Sequence, residues 1–191
     1  MEDTKPPTFT EKLGEKMIFF TSDLHFYHDK IIRHTQRPFH NVEEMNTVLI
    51  KKWNAKIAHD DEVYILGDFT MKGADIASTC LYSLKGKKHL IRGNHDDFVD
   101  SPQFEQSLFV SIRDYMEITY LNTHFVLFHY PIVEWHGCRK GAIALHGHQH
   151  NHKSYNIENL KNGILRYDVG VDANNMEPVS AEEIIDFFKK I

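Results

Sequence analysis

Three short apolar runs, over residues 16–22, 62–66 and 88–92, are each separated by a segment of helical periodicity. Strand, helix, strand, helix, strand is the pattern of a parallel sheet built from βαβ units, so the first half of the chain constrains the fold most. Between the first two runs, Asn41 is placed to cap a helix, with Glu44 in the reciprocal capping position. Val42, Met45, Val48, Leu49, Trp53 and Ile57 then recur at helical spacing and predict one buried face. Ile76, Cys80, Leu81 and Leu84 predict a second helix, closed by Gly86. The second half reads differently. Residues 115–121 and 124–129 form a hairpin pattern turning at Asn122-Thr123, and residues 142–146 and 165–169 are further short strands. Ser180 with Glu183 is a capping box that opens a final helix. Residues 1–15 are polar, contain Pro6-Pro7 and show no periodicity, which reads as a mobile tail before a single domain over residues 16–191.

Chemically useful side chains gather at the ends of these runs. Asp23-Leu24-His25 follows the first, Gly67-Asp68 the second, and Gly93-Asn94-His95-Asp96 the third. His129 ends a later strand, and Gly147-His148-Gln149-His150 follows the next. In open α/β sheets, sites form outside the carboxyl ends of strands, so groups distant in sequence can converge there. On extended backbone, the Asp-x-His and His-x-His pairs would each point two side chains the same way, toward one ion. Asn94 offers a neutral oxygen, His95 can carry a proton at neutral pH, and Asp96 can hold that imidazole in one orientation. Singly, each residue has a plain structural reading: Asp23 and Asp68 as helix caps, His129 in the core, His148 and His150 on a surface loop. Jointly these readings require five coincidences in a consistent order. Carboxylate, amide and imidazole donors without thiolate favour Mn, Fe, Zn or similar ions, and seven donors suit two ions about 3.5–4 Å apart bridged by one carboxylate.

Composition narrows the function. Of 191 residues, 41% are hydrophobic and 26% charged, enough for one core. A formal charge of -5 argues against a broad electrostatic grip on nucleic acid, leaving only room for a local basic groove. Cys80 and Cys138 have neither metal nor redox spacing and suit a reducing compartment. No apolar run reaches membrane-span length, and residues 17–20 are too short for a signal-peptide core, so a cytoplasmic location is expected. Histidine is the outlier, with 14 spread through the middle of the chain.

The ordered set Asp-x-His, Gly-Asp, Gly-Asn-His-Asp, His and Gly-His-x-His, intact across residues 18–172, resembles the calcineurin-like metallophosphoesterase superfamily, in its small uncapped bacterial or phage-type form. The resemblance implies an α/β fold, a four-layer αββα sandwich of two mixed β-sheets flanked by helices. It implies that Asp23, His25, Asp68 and His150 bind one divalent ion. Asp68 would bridge to a second, held also by Asn94, His129 and His148, with Mn favoured and Fe, Zn, Ni or Mg acceptable. His95 would face the substrate, with Asp96 orienting it. The expected substrate is a small phosphate ester, a nucleotide among the candidates, with a diester favoured over a monoester on the small uncapped size. Beside the resemblance, Arg33, Arg37 and Arg139 are candidates to hold its phosphate, and His28 is a candidate to line the substrate pocket. Two other readings stay open: a nuclease on DNA or RNA, and a non-catalytic metal-binding scaffold of the same fold.

Overall fold

The computed structural model describes residues 16–189, so the expected tail over 1–15 lies outside the described residues. Two mixed sheets are flanked by helices. The first sheet runs β4-β3-β2-β1-β9, and the second β5-β6-β7-β8. In the first, β1 (Ile18–Thr21), β2 (Glu62–Ile65), β3 (Lys87–Ile91) and β4 (Ser111–Arg113) are parallel, and β9 (Val179–Ser180) pairs antiparallel with β1. In the second, β5 (Tyr115–Tyr120) and β6 (Thr123–Phe128) form the hairpin, and β7 (Ile143–His146) and β8 (Arg166–Asp168) add in parallel.

Strand alternation divides the apolar side chains between two layers of core. Phe19, Val63, Ile65 and Leu90 face the helices α1 (Asp29–His34), α2 (Val42–Lys56) and α3 (Ala74–Ser83). Phe20, Tyr64, Leu66 and Ile91 face the second sheet, meeting Phe125, Leu127, Ile143 and Leu145 there. Strands buried on both faces read as continuous apolar runs, which is why β1, β2 and the Leu90-Ile91 end of β3 are visible in the sequence. Trp53 of α2 is fully buried, and its indole N–H donates to the Lys85 carbonyl at 2.9 Å. Truncating such a side chain to alanine costs about 3–5 kcal/mol.

The predicted N-caps form, with one difference, but Gly86 does not close α3: the C-cap is Leu84, and Gly86, with φ of 88°, turns the chain into β3. The Asn41 side chain accepts from Glu44 N at 2.8 Å, but the Glu44 carboxylate returns to His40 N rather than Asn41 N. At α5 (Ala181–Phe188) the box is complete, with Ser180 and Glu183 each accepting from the other's backbone. The hairpin turns one residue earlier than expected: Leu121 and Asn122 both have positive φ, as a two-residue primed turn demands. Strands β4 and β9, of three and two residues, were not predicted, nor was α4 (Lys153–Lys161). α4 carries no apolar stripe: it docks on β8 through amides, Asn156 Nδ2 donating to Asp168 O and Asn159 Nδ2 to Arg166 O. Among the described residues no helix is long and apolar enough to cross a membrane, and both cysteines are free.

Candidate metal centre

The turns after β1, β2, β3, β6 and β7 meet at one end of the two sheets. They are laced by backbone bonds, Asp23 N to Gly67 O, His25 N to Asp68 O and Gly147 N to His129 O, all at 3.0 Å. Two clusters result, Asp23 with His25 and His150, and Asp68 with His129 and His148. In each, the potential ligand atoms lie within 4.8 Å of one another. Asp68 stands between them: its Oδ2 is 3.6 Å from His25 Nε2, and its Oδ1 is 3.6 Å from His129 Nε2. Asn94 Oδ1 joins the second cluster, 3.0 Å from His129 Nε2.

The convergence is not achieved on extended backbone. Asp23, His25, Asp68, His148 and His150 all have positive φ, between 50° and 72°. Residues other than glycine reach that region at a cost, and such strain concentrates where function over-determines the structure. The expected parity rule therefore fails. Asp23 and His25 do share a cluster, but His148 and His150 fall in different ones, because the left-handed turn splays them apart. Gly93 is required for its lack of a side chain rather than for its backbone conformation. Its φ is ordinary, but a Cβ there would sit 2.3 Å from Asp68 Oδ1.

Hydrogen bonding fixes the donors and leaves an excess of acceptors. His129 Nδ1 lies 2.7 Å from the Leu66 carbonyl, so it carries the proton, and the bare Nε2 confronts Asn94 Oδ1 and Asp68 Oδ1. His150 Nδ1 lies 2.9 Å from Asp172 Oδ2, which turns Nε2 inward. His25 Nε2 is buried and has no hydrogen-bond partner. Burial, then the charges of Asp168 and Asp68, push the Asp23 carboxyl well above its ordinary range. Burial, then the neighbouring His150, drives the His25 imidazole down to about 2, and burial also lowers His129. Lone pairs facing lone pairs, with carboxylates that cannot share their charge, form an environment that cations complete. Histidines held through the other ring nitrogen are the usual arrangement around a metal. The donor set fits divalent ions of the Mn, Fe or Zn kind.

Four sequence expectations need correction. Asp96 does not touch the His95 ring. It is fully buried, and its carboxylate accepts from Asp68 N, Phe69 N and Gly93 N at 2.8–2.9 Å, binding the turn after β3 to the turn after β2. Burial pushes its carboxyl up to about 6. Arg37 is not available to substrate. Its guanidinium is buried, paired with both oxygens of Asp172 at 2.8–2.9 Å and bonded to the carbonyls of Asp23 and Leu24. Arg33 is exposed in the last turn of α1, and among the described residues no hydrogen bond or ion pair ties it to the clusters. Arg139 is turned to solvent, 88% exposed and 3.7 Å from Glu134. His28 does border the centre, its Nδ1 3.4 Å from His25 Nδ1, and the His95 ring lies 5.7 Å from that of His25. Trp135 is a packing residue, its indole N–H donating to the Ala142 carbonyl at 2.9 Å.

Asp172 is the residue the sequence least reveals. It lies four residues past the end of β8, where its only signal was a carboxylate following a strand, yet it links His150 to Arg37 and through Arg37 to the β1 turn.

Fold and site together define an α/β protein of two mixed sheets with histidine–aspartate clusters suited to metal at the strand ends. No family model matches the sequence. The chain belongs to the family of an uncharacterised protein of Methanocaldococcus jannaschii, to which it is 36% identical over 182 residues, covering 93% of this chain and 94% of that protein. The gene 66 protein of Mycobacterium phage D29 is 30% identical over 184 residues, covering 82% of this chain and 88% of its own length. Among solved structures, a protein of unknown function from Aquifex aeolicus superposes with a TM-score of 0.70 at 26% identity, covering 90% of this chain and 99% of that one.

Proposed function

We propose that this protein is a metal-dependent phosphoesterase, hydrolysing a phosphate ester at a two-ion centre made by Asp23, His25, His150, Asp68, Asn94, His129 and His148. One observation carries the reading: the two oxygens of Asp68 each face a histidine of a different cluster, at 3.6 Å in both cases. A carboxylate so placed suits the bridge between two cations. When bound, two such ions supply Lewis acidity, an activated water and neutralisation of phosphoryl charge.

The chain's own residues would do the rest. Asp172 holds His150 through Nδ1, and the Leu66 carbonyl holds His129 in the same way, so neither ring can turn from the centre. Asp96 keeps Asp68 in register through its backbone amide. His95 is anchored by its own amide on Asp68 Oδ1 at 3.0 Å, which leaves its half-exposed ring beside His25 and His28. From there a protonated His95 would give its proton to the leaving alkoxide, and His28 would border the departing group. Phosphodiesters are the first substrates to test.

The test compares leaving groups. With Mn supplied, His95→Ala should lower kcat on a phenyl or alkyl ester by about 100-fold or more, the usual worth of a general acid. On the p-nitrophenyl ester, whose leaving group needs little protonation, the loss should be small. Equal losses would remove His95 from that role. No hydrolysis of any phosphodiester or monoester by the metal-loaded wild type would sink the phosphoesterase reading itself.

A further inference from the structure

A second group of metal-type ligands lies outside that centre. On β5, Met116, Ile118 and Tyr120 pack toward the core between the sheets, so Tyr115, Glu117 and Thr119 stand on the opposite face. On β6, Phe125 and Leu127 turn inward, which puts His124 on the outer face as well. Thr119 is directly opposite His124 in the register, making Glu117 its diagonal neighbour, within reach of long side chains. His136 arrives from the loop after β6. Glu117 Oε2 is 2.9 Å from His124 Nε2 and 2.8 Å from His136 Nδ1. All three atoms lie within 4.8 Å of one another.

We propose that Glu117, His124 and His136 form a separate site for one divalent transition ion of the zinc class, with a coordination position left open to solvent. Two imidazoles and one carboxylate are a three-ligand set that zinc accepts, and they select against magnesium and calcium, which prefer oxygen alone. The geometry is close to ready. At metal–ligand distances of about 2.0–2.1 Å, tetrahedral ligands stand about 3.3 Å apart, so each contact need open by only about half an ångström. Both inner ligands are held from behind. Thr119 Oγ1 is 3.3 Å from His124 Nδ1, and the Tyr115 hydroxyl donates to Glu117 Oε1 at 2.6 Å, leaving Oε2 for the ion. On loading, the His124 ring proton resides on Nδ1, donated to Thr119, and Nε2 is bare. The His136 side chain is 75% exposed, so the ion reaches the site from solvent without any opening of the fold.

The experiment measures zinc bound to the full-length protein by equilibrium dialysis and elemental analysis, for wild type, His136→Ala, Glu117→Gln and a His40→Ala control that removes another exposed histidine. Wild type and the control should hold one zinc equivalent more than the other two variants, whose affinity at this site should fall by about 100-fold or more. Magnesium should show no such difference. Equal zinc content and affinity in all four proteins would overturn the proposal. So would a control that loses as much as His136→Ala, since surface histidines in general would then be responsible. Hydrolysis by the strand-end centre should be unchanged in His136→Ala, so this site and that one succeed or fail separately.

Discussion

Replacing Gly147 with alanine tests whether the strand-end turns are packed as tightly as their function would require. A Cβ at that position would lie 2.0 Å from Ser22 Oγ and 2.4 Å from Asp23 Oδ2. Reaching an ordinary contact of about 3.5 Å means moving these atoms by about 1.5 Å and 1.1 Å. Neither has room. Ser22 Oγ donates to the Leu66 carbonyl at 2.6 Å, and the Asp23 carboxylate accepts from His148 N at 3.0 and 3.1 Å inside a fully buried pocket. Overpacking costs about 1–3 kcal/mol, and a lost bond to a buried charged group about 1.5–3 kcal/mol more. A destabilisation of about 3–5 kcal/mol is therefore expected, which for a domain of this size lowers Tm by roughly 10 °C. Metal affinity should fall as well, since a ligand displaced by about 1 Å exceeds the tolerance of about 0.5 Å of a preorganised site. Calorimetry and elemental analysis read the two effects. Gly73→Ala is the matched control: a Cβ there meets nothing within 4 Å, and its stability should stay within about 1 kcal/mol of wild type. A Gly147→Ala protein with unchanged Tm and full metal content would refute the packing argument.

Two further outcomes are expected away from the metal ligands themselves. Arg37→Met should cost about 3–5 kcal/mol in denaturant unfolding, because it leaves the buried Asp172 carboxylate only its bond to His150 and strips the Asp23 and Leu24 carbonyls of their donor; a loss below 1 kcal/mol would show the pair to be dispensable. Acid unfolding should depend on Asp172. Burial raises its carboxyl, but the bonds from His150 and Arg37 outweigh this and hold it well below the usual carboxylate range. A depressed folded pKa gives stability that is present above the unfolded value of about 4 and is lost as pH falls below it. Asp172→Asn should therefore be less stable at pH 7 and show a shallower loss between about pH 4 and pH 2; an unchanged slope would exclude Asp172 as a source of the acid limb.

The sequence by itself determined the elements whose cause is local. Strands β1 and β2 and the Leu90-Ile91 end of β3 are buried on both faces and read as apolar runs, α2 and α5 carry stripes and caps, and the strand-end ligands stand in order along the chain. It could not reveal β4, β9 or α4, which are short or amide-docked and exist only against their neighbours. Tertiary structure alone decided the allocation of ligands. His148 and His150 separate into different clusters because positive φ replaces the extended geometry on which parity depends. It also decided that Asp96 serves backbone amides rather than His95, and that Arg37 is consumed by Asp172, 135 positions away. The Glu117–His124–His136 group has the same origin: two members follow from hairpin register, but a loop had to fold back to bring the third. Side-chain spacing along a chain is a local property, whereas the distance between two buried polar groups is set by how whole elements pack.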